Sequence, residues 1–146
     1  AAIDLRTGDF ATAEIRYLKL LELDPRDTFA HSGLISLQGN VDPVQSESRI
    51  KNLLASNPDA THLYFTLGNQ FAAQSRWIEA QDAYFKAFSA DPDNPEFAFN
   101  LAVSLDQLRQ RALALDYYKK ALDLSASRPS VFNRRQVEVR VRELER

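Results

Sequence analysis

The stretch THLYFTLGNQFAAQSRWIEAQDAYFKAFSADPDN, residues Thr61 to Asn94, decides the fold. Tyr64, Leu67, Gly68 and Phe71 mark its first half, and Ala80, Tyr84 and Ala87 its second. Spacings of three and four residues put each set on one helix face. Pro92 closes the stretch, so it reads as two antiparallel helices, Thr61 to Ala73 and Trp77 to Ser89. Shifted by 34 residues, the skeleton returns from Pro95 as Leu101, Ala102, Leu105, Ala114, Tyr118 and Ala121. A helix pair repeated at that period cannot bury its apolar face alone and is built to stack on its neighbours.

Downstream, helices are predicted over Pro95 to Gln107 and Arg111 to Leu124. The stretches AQDAYFKAFSADPDN and ALDYYKKALDLSASR align without a gap. Small residues at Ala80, Ala87, Ala114 and Ala121 let helix axes approach, while Tyr84 and Tyr118 fill the space beside them. Upstream the pattern weakens. Ala1 to Arg6 reads as the end of a helix, Thr7-Gly8-Asp9 as a turn, and Phe10 to Glu22 as a helix stopped before Pro25. Arg26 to Gln38 and Val44 to Ala55 form the next pair, with Pro43 suited to a first helical position. Pro25 to Pro58 spans 33 residues against 34 for Pro58 to Pro92, and Gln45-Ser46-Glu47-Ser48 is polar where alanine is expected. This second pair is degenerate.

After Ser127 the register changes. Asn133 reads as an N-cap with Gln136 at N3, and Phe132 and Val137 as a hydrophobic staple. Val137, Val141 and Leu144 make one narrow apolar stripe among charges, as a helix covering the end of a stack requires. The predicted organisation is one continuous domain: a truncated first unit at 1–25, a degenerate second at 26–60, a third at 61–94, a fourth at 95–128, and a capping helix at 129–146.

Of the 146 residues, 45% are hydrophobic and 26% charged, an ordinary globular balance. The net charge of -2 argues against a generally nucleic-acid-binding surface. It is uneven, because Arg128 to Arg146 holds six Arg and three Glu, leaving residues 1 to 127 at net -5. Contact of this Arg-rich end with nucleic acid or an anionic surface is a minor expectation, since Glu138, Glu143 and Glu145 interleave with the arginines. With no Cys, disulfides, thiolate metal sites and a Cys nucleophile are excluded together. No apolar run approaches the ~20 residues of a membrane span. The chain starts without Met and within the pattern of a repeat, which suggests a piece of a longer protein.

These residues make the chain resemble the tetratricopeptide-repeat family, strongly in the third and fourth units and more weakly before them. The resemblance implies an all-α, right-handed solenoid of antiparallel helix pairs. Its structural core would be Leu67, Gly68, Ala80, Tyr84, Ala87, Leu101, Ala114, Tyr118 and Ala121. There are departures: Ala98 replaces a large aromatic, Arg109 a turn glycine, and Ala126 the closing proline, which predicts a looser last turn. In this family the first helix of each pair lines a groove that holds partner peptides or helices. The resemblance would place Ala30, His31 and Leu34 there from the second unit. The third unit would add His62, Phe65, Thr66, Asn69 and Ala72, and the fourth Glu96, Phe99, Asn100, Val103 and Asp106. Paired rings at Phe65 and Phe99 with amides at Asn69 and Asn100 suit an extended or helical peptide. No Lys or Arg stands at those positions, so a basic clamp for an acidic tail is not expected.

His31 and His62 stand far apart without an HExxH spacing, so no metal site is expected. No GxSxG-type elbow accompanies the serines and no cofactor motif is present. The function expected is that of a non-enzymatic adaptor binding a protein or peptide, with self-association into a homo-oligomer as the alternative. The chain also resembles, less specifically, the tetratricopeptide modules of bacterial pilus-assembly and secretion accessory proteins, which implies a bacterial envelope setting.

Overall fold

The computed structural model describes residues 15–20, 23 and 43–146. All regular structure among them is α-helical. Residues 15–20 are helical within the predicted Phe10 to Glu22 helix. The predicted Arg26 to Gln38 helix, with Ala30, His31 and Leu34, lies outside the described residues. Six further helices follow: α1 (Pro43–Ser56), α2 (Thr61–Ala73), α3 (Trp77–Ala90), α4 (Pro95–Gln107), α5 (Arg111–Ser125) and α6 (Arg134–Leu144). The fold is all-α, of the tandem helix-pair solenoid class. Two compact units divide it, Ala1–Thr66 and Leu67–Arg146.

In the first unit, α1 buries Ser46 and Ile50, the latter completely. The side chain of Ser46 is thus part of the packed face, which explains how a polar stretch holds a helix in register. Asn57 closes the end of α1 by donating its side-chain amide to the Leu53 carbonyl at 3.0 Å. Tyr64 then donates its hydroxyl to the Pro58 carbonyl at 3.0 Å, tying the start of α2 to the turn before it.

In the second unit the core is small-plus-aromatic, as the alternation of Ala and Tyr requires. Ala80, Ala87, Ala98, Ala102, Ala114 and Ala121 are fully buried, with Leu101 and Tyr84 close to it. Phe88 meets Tyr117 edge-to-face at 5.5 Å, joining α3 to α5. Gly68 allows the closest approach: a methyl group there would come within 2.6 Å of two ring carbons of Tyr84.

Caps set the helix starts. Asn94 accepts from the Glu96 and Phe97 amides at 2.9 and 3.3 Å, with Pro95 at N1 of α4. Asn133 accepts from the Gln136 amide at 3.1 Å at the start of α6, the predicted N-cap. The two turns inside the helix pairs are alike. Ser75 and Arg109 take φ of 57° and 64°, and each ends its helix as a left-handed C′ residue. The Arg76 and Gln110 amides donate back to the Phe71 and Leu105 carbonyls at 2.9 and 3.0 Å. The Ser75 and Arg109 amides reach Ala72 and Asp106 at 3.0 Å each. This is the full Schellman hydrogen-bond pair, so Arg109 does not loosen its turn as its side chain predicts. A left-handed non-glycine residue is strained by about 1–2 kcal/mol. Ser75→Gly and Arg109→Gly are each expected to raise stability by about 0.5–1 kcal/mol, read as an upward shift of the urea midpoint at constant m-value.

Candidate protein-binding face

The predicted site residues fall on the first helix of each pair. In the first unit, His62, Phe65 and Thr66 lie on α2, with Thr66 buried and the other two half-buried. Thr66 donates its hydroxyl back to the His62 carbonyl at 2.9 Å. In the second unit, exposed Asn69 accepts the Tyr84 hydroxyl at 2.7 Å. Asn100 donates its amide to the Glu96 carbonyl within α4 at 2.8 Å, so part of its hydrogen-bonding capacity is spent locally.

Glu96, Phe99, Val103 and Asp106 share a different situation. The segment leading into α6, and α6 itself, lies against them. The Glu96 carboxylate accepts from the backbone amides of Val131 and Phe132. Phe132 stacks on Phe99 with ring centres 4.8 Å apart and planes within 19°. Phe99 also leans on Tyr118 at 6.2 Å. Arg140 reaches Asp106 as a two-pronged fork, Nε to Oδ2 at 2.7 Å and an Nη to Oδ1 at 2.6 Å. The Tyr118 hydroxyl donates to the same carboxylate at 2.9 Å. The other Nη of Arg140 donates to Glu143 at 2.8 Å. Between α4, α5 and α6 a hollow of about 280 Å³ remains, walled on its apolar side by Phe99, Val103, Phe132 and Val137.

The electrostatics follow from this packing. The Arg140 fork holds the Asp106 carboxyl below its ordinary value of 3.8, with the Tyr118 hydrogen bond acting the same way and partial burial opposing both. Burial and the neighbouring carboxylate push the Tyr118 hydroxyl upward, so it stays a donor. Asp106 is depressed in the folded state, so its stabilisation is complete above the unfolded value and fades as pH falls through the folded one. The protection factors of the α6 amides, taken against the intrinsic exchange rate at each pH, are therefore expected to fall on acidification below about pH 4. In Asp106→Asn that acid-dependent step should shrink.

A groove without arginine was expected from positions on the first helices alone. Arg140 corrects this: it is brought onto the face by α6, from outside the repeats. Phe132 was assigned to a staple with Val137, and its stacking on Phe99 was missed. One signal was available. Arg140 stands 34 residues after Asp106, and Val137 stands 34 after Val103. Carrying the repeat period into the cap pairs opposite charges and apolar residues in order.

Among the described residues no group of three or more His, Asp or Glu is placed to hold a metal ion. No helix among them is long and apolar enough to cross a membrane.

Comparison with known proteins agrees with the geometry. Residues 95–128, the α4–α5 pair and its closing turn, match the Tetratricopeptide repeat family. The chain is 28% identical over 131 residues to the type IV pilus assembly protein PilF of Pseudomonas aeruginosa, over 87% of this chain and 52% of that protein. It thus spans about half the length of this curated relative. The solved structure of Pseudomonas aeruginosa PilF is similar at a TM-score of 0.73 and 24% identity, over 96% of this chain and 62% of that one. YrrB, described as a TPR protein with an unusual peptide-binding site, is similar at 0.72 and 22%, over 88% and 63%. SycD, a type III secretion translocator chaperone of Yersinia enterocolitica, is similar at 0.70 and 19%, over 79% and 81%. At these identities the solved structures establish the fold alone.

Proposed function

We propose that this tetratricopeptide-repeat protein is a non-enzymatic adaptor that holds a peptide or helix of a partner protein on the faces of its first helices. In the second unit those residues are Asn69, Glu96, Phe99, Asn100, Val103 and Asp106. In the first unit His62, Phe65 and Thr66 occupy matching repeat positions. One observation carries the reading: a stretch of polypeptide already lies on α4. Phe132 seats a ring on Phe99 and Arg140 a guanidinium on Asp106. A surface that accepts an aromatic ring, a basic side chain and backbone amides from its own chain has the chemistry to accept them from another. The remaining hollow by Phe99 and Val103 would take an apolar side chain of the partner.

Likeness to a pilus assembly protein supports a role in building a pilus or a secretion apparatus, at the bacterial envelope. The tests are Phe65→Ala and Phe99→Ala, alone and together. Quantitative capture from a native lysate should lose about tenfold or more of its partner with the double variant, given that buried aromatic anchors dominate interfaces. Equal recovery by wild type and the double variant would sink the proposal.

Self-association is a second reading. It is favoured by the exposed apolar residues Ile15, Leu18 and Leu23, which are 54%, 46% and 86% accessible. Sedimentation across a concentration series decides it, since a strict monomer at every concentration leaves no room for it.

A further inference from the structure

The α4–α5 turn and Arg140 of α6 border a second hollow, open to solvent and about 640 Å³ in volume. Its walls are Asp106, Gln107, Arg109, Arg111 and Arg140. Three arginines from three separate elements line it beside one carboxylate. That carboxylate is already committed, because Asp106 is forked by Arg140 and accepts from Tyr118. Arg109 and Arg111 are exposed, and neither has an ion pair or a side-chain hydrogen bond among the described residues. Arg111 reaches Asp106 through space only, as a charge that favours the ionised carboxylate.

The backbone adds to this excess. Arg111 is the first residue of α5, and Gln110 makes no side-chain capping bond there. The free amides of that first turn therefore carry a further partial positive charge toward the same place. Like charges gathered at one concave spot repel each other unless an anion sits between them. Several other basic residues of this unit are matched, Arg128 with Asp91, Arg134 with Glu138 and Lys86 with Asp82, and the exposed Arg135 and Arg142 line neither hollow. The turn hollow gathers in one concave place two guanidinium groups without an ion pair among the described residues.

We propose that this hollow binds an acidic segment of a partner protein, with Asp or Glu carboxylates meeting Arg109 and Arg111. A carboxylate matches the planar guanidinium fork. It also brings one negative charge where a phosphate brings nearly two, beside the Asp106 carboxylate on the wall. The volume is within the ~300–1,000 Å³ range of ligand clefts. The site shares Asp106 and Arg140 with the Phe99 face, but the two arginines that would meet the carboxylates, Arg109 and Arg111, are not part of that face.

The test uses the full chain and a fluorescein-labelled peptide of alternating Glu and Gly, with an alternating Gln and Gly peptide as its neutral counterpart. The Glu peptide should bind and the Gln peptide should not, with affinity falling as salt rises. Arg109→Asn with Arg111→Gln should weaken binding at least tenfold. Asn tolerates the left-handed backbone at 109 and Gln favours a helix start, so an unchanged melting temperature is expected. Arg135→Gln with Arg142→Gln removes the same charge from the exposed side of α6 and should leave affinity unchanged. An equal loss in both double variants would overturn the site in favour of general charge attraction. Binding of the Gln peptide as tightly as the Glu peptide would overturn the carboxylate. Displacement of the Glu peptide by inorganic phosphate at concentrations where acetate has no effect would overturn the preference for carboxylate over phosphate.

Discussion

Tyr84→Ala is expected to destabilise the second unit by about 3–5 kcal/mol, the largest effect of any single substitution considered. The ring is 2% exposed and lies directly over Gly68. Its hydroxyl donates to Asn69 at 2.7 Å, so the aromatic body is buried while the polar tip is satisfied. Truncation removes the ring, leaves a cavity between α2 and α3, and strips Asn69 of its donor. Urea unfolding followed by far-UV circular dichroism reads the loss. Tyr84→Phe separates the contributions: it keeps the ring, forfeits one hydrogen bond, and should cost only about 1 kcal/mol.

The second large effect depends on the first. Gly68→Ala would place a methyl 2.6 Å from ring carbons of a buried, tightly held side chain. Overpacking of this kind costs about 1–3 kcal/mol. Alanine in place of glycine within a helix returns roughly 1 kcal/mol, so the net expectation is a modest loss. In a Tyr84→Ala background the clash is gone and only the helix preference remains. There Gly68→Ala should stabilise by roughly 1 kcal/mol. The change of sign is the signature, and a double-mutant cycle measures it. If Gly68→Ala has the same effect in both backgrounds, the steric account of the close approach is wrong. The fourth unit offers a natural contrast. The matching position there is Ala102, fully buried, and Tyr118 directs its hydroxyl to Asp106.

The helices of the third and fourth pairs were legible because punctuation and period agree. Asn94-Pro95 and Asn133 start helices by local hydrogen bonding, which sequence reports directly. Helix ends moved by a residue: α1, α3 and α5 each extend one beyond the predicted last residue, to Ser56, Ala90 and Ser125. The turn at Arg109 was misjudged because side-chain identity suggests strain, while the backbone bonds that absorb it involve neighbours of any type. The occupant of the α4 face was not read for a different reason. Contacts such as Arg140 with Asp106 or Phe132 with Phe99 depend on where α6 docks, and local pattern carries no such distance. Only extending the repeat register into the cap would have supplied it.

That register gives α6 a further meaning. The ties of α6 and of the segment leading into it run from Arg128 to Asp91, from Val131 to Glu96 and from Arg140 to Asp106, separations of 37, 35 and 34 residues. Each therefore closes a loop of about one repeat, the span that joins an element to the helix pair before it. The helix adds to the chain as a last rung, tied to the repeat next to it in sequence. Loops this short close at modest entropic cost and keep folding local and fast. In the refolding chain, α6 is therefore expected to dock after the α4–α5 pair that it covers has formed.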